Sequence, residues 1–84
     1  MLYKELKINN REGLKSRPAA LFVQTASRFE SQILIECGNK KVNAKSIMGV
    51  LSLGIQPGGT IYVLANGKDE KAALASLEEL VSKE

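Results

Sequence analysis

Gly38-Asn39 separates two short stretches rich in strand-forming residues, Gln32–Cys37 and Lys40–Ala44. A two-residue loop of this kind joins antiparallel neighbours, because a parallel pair needs a crossover of roughly a dozen residues or more. One hairpin thus sets the sense of the sheet, and the remaining segments must fit around it. Leu2–Ile8 alternates Leu2, Lys4, Leu6 and Ile8 against Tyr3, Glu5 and Lys7, which predicts a strand with a mostly apolar inner face. Thr60–Ala65 predicts another strand, closed by an Asn66-Gly67 turn, while Asn9–Gly13 reads as a loop.

Three stretches carry the helical period instead. Ala19, Phe22, Val23 and Ala26 recur at i, i+3, i+4, i+7, predicting a helix that starts near Ser16–Pro18 with Ser16 as its N-cap. Lys45–Leu53 predicts a short helix capped by Ser46, with turn residues at Gly54 and Pro57-Gly58-Gly59 behind it. Asp69 is placed to cap a last helix whose apolar face is Ala73, Leu74, Leu77, Leu80 and Val81. The order β-α-β-β-α-β-α predicts an α+β open-faced sandwich: a four-stranded antiparallel sheet with three helices on one face.

With 84 residues the expectation is one domain spanning 1–84. Hydrophobic residues at 44% and charged residues at 25% are globular values. No apolar run approaches the roughly 20 residues that cross a bilayer, and Met1–Lys7 lacks a signal-peptide core. The single Cys37 cannot form an internal disulfide. Together these predict a soluble, cytoplasmic protein without membrane attachment. The chain contains no histidine, which removes the commonest general base and metal ligand and any Ser–His or Cys–His pair. No enzyme activity, metal or cofactor is expected.

Charge is uneven: residues 1–45 carry nine Lys or Arg against four Glu, whereas 46–84 carry three Lys against five acids. A basic face suits nucleic acid, phosphate or an acidic protein surface, or simply solvent. Only Tyr3, Phe22, Phe29 and Tyr62 are aromatic, so stacking platforms for bases are scarce and direct nucleic-acid binding is not expected.

The two shorter helices carry more apolar surface than a thin core can use. Leu21 falls off the first helix's stripe, beside Ala20 and Gln24. In the middle helix Ile47, Met48, Val50, Leu51 and Leu53 surround the axis; Val50 with Leu53 can enter the core, which leaves Ile47, Met48 and Leu51 at the surface. Such a patch on a small protein marks a partner site, and methionine adapts well to docking; the competing reading buries all five. Ser46 has two readings as well. It is a favoured cap, stabilising by about 1 kcal/mol relative to Ala, and it is a place where a phosphate would add about −1.5 to −2 charges beside the patch without disturbing the fold.

Gly13-Leu14-Lys15-Ser16-Arg17-Pro18-Ala19-Ala20 resembles the active-site loop of the HPr family, the phosphocarriers of the sugar phosphotransferase system. Lys45-Ser46-Ile47-Met48-Gly49-Val50-Leu51-Ser52-Leu53 resembles that family's regulatory serine segment, and Phe22-Val23-Gln24, Val42-Asn43-Ala44 and the element order fit across the chain. The resemblance implies a histidine where this chain has Lys15, followed by Ser16. A lysine ammonium is protonated at neutral pH and is not a nucleophile. A serine phosphoester lacks the transfer potential of a phosphoramidate. Lys15 and Ser16 therefore form a degenerate phosphocarrier site. The surviving combination is similar to the Crh type of the family, which keeps the serine and lacks the histidine; known members carry glutamine there, so Lys15 is a departure.

By that resemblance Ser46 is phosphorylated by HPr kinase/phosphorylase, and the product is a corepressor for catabolite control protein A in carbon catabolite repression. It assigns partner contacts to Lys15, Arg17, Ala20, Leu21, Gln24, Lys45, Ile47, Met48 and Leu51. Arg17 offers a planar fork to a carboxylate or phosphate. Two other readings stay open: a phosphorylation-independent interaction module or metabolic-enzyme effector, and phosphotransfer through Ser16. The first strand leaves both a monomer and a strand-exchanged dimer open.

Overall fold

The computed structural model describes residues 1–82. Its elements run β1 (Leu2–Lys7), α1 (Ser16–Ser27), β2 (Gln32–Cys37), β3 (Lys40–Asn43), α2 (Ile47–Ser52), β4 (Thr60–Asn66) and α3 (Glu70–Ser82). The sheet has the order β1-β4-β2-β3, with every neighbouring pair antiparallel. Cys37 pairs with Lys40 across the two-residue loop, where Gly38 takes a φ of 61°. That left-handed value favours glycine and lets the β2–β3 hairpin close.

Alternation along the strands separates two faces. Leu6 of β1, Ile33 and Ile35 of β2, and Ile61, Val63 and Ala65 of β4 are buried on the side that faces the helices. Phe22, Ala19 and Ala26 of α1, Val50 of α2, and Ala73, Leu74, Leu77 and Val81 of α3 meet them there, with Leu80 only partly buried. Full burial of each large apolar side chain contributes about 1.5–3 kcal/mol, so this single layer holds the sandwich together. The opposite face carries Tyr3, Glu5, Glu36 and Tyr62, and all three helices lie away from it. No helix among the described residues is long and apolar enough to cross a membrane.

The start of α1 differs from expectation. The cap position belongs to Lys15, which makes no side-chain cap hydrogen bond, and Ser16 is the first helical residue with a φ of 50°. Ser16 is therefore not the N-cap: the segment ahead is pinned so that the chain must turn one residue early. Gly13 has a φ of 70°, and a Cβ there would lie 2.2 Å from the Ile55 carbonyl oxygen. The Leu14 N–H donates to that same carbonyl at 3.1 Å. This close backbone approach fixes the path into α1.

Asp69 does stand before α3, and its carbonyl accepts the Ala73 N–H at 2.9 Å. Its carboxylate, however, binds the loop ahead of β2, accepting from the Glu30 N–H at 2.9 Å, the Ser31 N–H at 3.0 Å and the Ser31 hydroxyl. The Ser31 hydroxyl, then the Glu30 N–H, hold this carboxyl below its usual value. Glu70 closes the turn by accepting the Gly67 N–H at 3.1 Å.

Candidate functional site

The site is built on α2 and the chain that enters it. Asn43 ends β3, and its side-chain oxygen accepts the Lys45 N–H at 2.8 Å while its carbonyl accepts the Ser46 N–H at 3.1 Å. This turn delivers Ser46 in extended conformation (φ −110°, ψ 116°) to the cap position. Its carbonyl accepts the Val50 N–H at 3.0 Å, and its Oγ accepts the Gly49 N–H at 3.1 Å. Ser46 thus caps α2 as the sequence predicts, satisfying one of the helix's unpaired donors.

Gly49 explains how so short a helix sits against β3. A Cβ there would lie a tight 3.3 Å from the Val42 Cβ and would touch the Ser46 Oγ at 3.4 Å, so a side chain would press first on β3. Val50, fully buried, anchors α2 to the core, and Leu53 is half-buried behind it. The rest of the helix faces outward: Met48 is 76% exposed, Leu51 42% and Ile47 38%. These values decide between the two readings of the middle helix, because burial of all five apolar residues is ruled out.

Helix α1 packs beside α2 and extends the surface. Leu21 is 42% exposed, Gln24 is exposed and Ala20 is half-buried. Lys15, Ser16 and Arg17 are exposed at the start of α1, where Arg11, Glu12, Gln56 and Pro57 line a shallow depression with them. Arg17 also borders a groove toward α3 that includes Leu14, Leu21 and Leu80. Its guanidinium makes no hydrogen bond or ion pair among the described residues, and none links it to Ser46.

Two lysines bond backbone carbonyls at either end of α2. Lys45 Nζ donates to the Phe29 carbonyl at 2.7 Å, which ties the start of α2 to the end of α1. Lys40 Nζ donates to the Ser52 carbonyl at 3.1 Å, at the far end of α2. Sequence reasoning did not find Asn43, Gly49, Phe29 or Lys40. Asn43, two residues before Lys45, was the available cue, since asparagine often bonds backbone two positions on. The lysine contacts are long-range and left no local trace. Among the described residues no His, Cys, Asp and Glu cluster could hold a metal ion.

Known proteins resemble this chain in sequence and in fold. Residues 2–83 match the family model described as the PTS HPr component phosphorylation site. The chain is 50% identical over 84 residues to the HPr-like protein Crh of Halalkalibacterium halodurans, covering all of both chains. Among solved structures it resembles HPr-C-His from Thermoanaerobacter tengcongensis, with a TM-score of 0.94 at 52% identity, over 98% of this chain and 92% of that one. It also resembles the selenomethionyl Crh of Bacillus subtilis, a dimer with a swapping domain, with a TM-score of 0.77 at 45% identity over 98% and 94%. The chain belongs to the HPr family.

Proposed function

We propose that this chain is a regulatory HPr-like phosphoprotein of the Crh type. In this reading HPr kinase/phosphorylase phosphorylates Ser46, and the phosphorylated form is a corepressor of catabolite control protein A. The carrying observation is the position of Ser46 beside Ile47, Met48 and Leu51, whose side chains stand exposed. A phosphoryl group on Oγ would put about −1.5 to −2 charges at the edge of that apolar patch. It would replace a hydroxyl that caps by accepting, and phosphate oxygens accept too, so the fold is expected to persist. Lys45 and Lys40 each give one donor to a backbone carbonyl, so neither is aimed at Ser46 in this state and a phosphate there would be open to cations of the partner. Arg17, Lys15 and Gln24 with Ala20 and Leu21 would complete the contact from α1, and Lys45 would act by positioning α2.

A phosphocarrier role is disfavoured by the same residues. The chain has no histidine, and Lys15 stands at the position the family's phosphocarriers give to it. The protein is not expected to touch DNA; its effect on an operator would pass through the repressor as a coupling free energy. Repressor binding with and without kinase treatment tests the reading. Binding that appears only after treatment is expected, and equal binding in both states would replace the corepressor with a phosphorylation-independent module.

Strand exchange between two copies is the proposed route to a dimer. The dimer with a swapping domain formed by the Bacillus subtilis Crh, 45% identical over 98% of this chain, supports it. Sedimentation at several concentrations measures it.

A further inference from the structure

The open face of the sheet carries one connected line of polar groups. Tyr3 of β1 and Tyr62 of β4 stack, with ring centroids 5.6 Å apart and planes within 10°. The register pairs Glu5 with Tyr62 and Tyr3 with Leu64, so the stacked rings are diagonal neighbours on one face. The Tyr3 hydroxyl passes over β4 and donates to Glu36 of β2 at 2.7 Å. The Tyr62 hydroxyl donates back to Glu5 of β1 at 3.0 Å. Lys41 of β3 then pairs with Glu36 at 3.2 Å, so all four strands are joined.

β1 is an edge strand, held in the sheet by β4 alone. Its departure breaks no ladder hydrogen bond of β2 or β3, because β4 alone pairs with it. On the helix side it is held by buried Leu6 and by the Lys4–Glu78 pair at 2.7 Å. On the open side both tyrosine bonds and the ring stack must break before it moves.

We propose that the Tyr3–Glu36 and Tyr62–Glu5 pairs form a clasp that gates the release of β1 from the sheet. The clasp controls a rate and a local opening, not the preference between monomer and dimer. When β1 of one copy fills the same place in another, every clasp contact is made again, so its strength cancels between the two closed forms. It does not cancel in the open form through which exchange must pass. The preference is left to the connection, residues 8–14, where Gly13 and Leu14 meet the Ile55 carbonyl.

Native-state hydrogen exchange on the full chain tests this directly. Tyr3→Phe/Tyr62→Phe keeps both rings and removes both donors. At neutral pH the double variant is expected to exchange amides of the β1–β4 ladder about tenfold faster, with the β2–β3 ladder unchanged. Glu5→Gln, which touches only the Tyr62 bond, is expected to give a smaller increase, about threefold, in the same ladder. Unchanged β1–β4 exchange would overturn the proposal, and so would an equal acceleration in β2–β3, which would mark a global loss of stability. The link to strand exchange rests on the dimer reading above. Mixing isotopically labelled dimers of the double variant should scramble chains faster, with the dimer fraction unaltered. A chain that stays monomeric at every concentration removes the dimer reading alone, since amide exchange reads the clasp in the monomer.

Discussion

At the start of α2, Ser46 stands in extended conformation and its Oγ accepts the Gly49 N–H. At the start of α1, Ser16 lies one residue inside the helix with a φ of 50°, behind a Lys15 that makes no cap bond. Both serines follow a lysine at a helix start, yet only one caps its helix with its side chain. The difference comes from what precedes each. Asn43 turns the chain into α2 through two local hydrogen bonds, whereas Gly13 presses the α1 entry against Ile55 and leaves no room to choose the cap. A serine at a helix start is thus a weak guide to its role until the incoming chain is known.

The largest effect should come from closing the gap at the α1 entry. Gly13→Ala needs a left-handed backbone and a Cβ 2.2 Å from an oxygen, so a loss of about 3 kcal/mol or more in urea unfolding is expected. If the loss were only a few tenths, the pinned entry would not explain the position of Ser16. Ser46→Ala should cost about 1 kcal/mol as a lost cap, while Ser46→Asp, which can still accept the Gly49 N–H, should cost less. Ser16→Gly should go the other way and stabilise by about 0.5–1 kcal/mol by relieving its positive φ. Equal losses from Ser16→Gly and Ser46→Ala would erase the distinction between the two starts.

Met48→Ala should leave the unfolding midpoint within about 0.5 kcal/mol, since the side chain is exposed. On the proposed reading, its binding to kinase and repressor should weaken about tenfold in titration calorimetry, as for a central anchor. The smallest expected change is with acid. Glu36 is held below its usual value first by the Tyr3 hydroxyl and then by Lys41, and Asp69 by Ser31 and Glu30. Depressed carboxyls stabilise above their ordinary values and lose that contribution as pH falls through the lowered ones. Acid should therefore loosen the open-face clasp and the Ser31 loop before either helix start, as read by amide shifts between pH 5 and 2, a range of about three units around these groups. The tyrosines work in the opposite direction. Glu36 and Glu5 hold Tyr3 and Tyr62 above their ordinary value, so their contribution is complete below it and fades as pH rises through the raised values.

Much of the fold was legible because it rests on local signals. The Gly38-Asn39 hairpin, the alternation in β1 and the i, i+3, i+4 stripe of α1 each state their geometry within a few residues. The exposure of Ile47, Met48 and Leu51 followed from the size of the core. What failed was the cap of α1, because Ile55 lies some forty positions from Gly13 and no window contains both. The binding of Asp69 to Ser31, Lys45 to Phe29 and Tyr3 to Glu36 was invisible for the same reason. The local chemistry of Ser46 could be read from its segment, but its use could not: a cap and a phosphate acceptor require the same residue in the same place.

Intact-mass spectrometry after incubation with HPr kinase/phosphorylase and ATP, run beside Ser46→Ala, tests that use most directly. One added phosphoryl group on the natural chain and none on the variant is the predicted result. A gain on neither chain, or on both, would contradict the assignment of Ser46 as the switch.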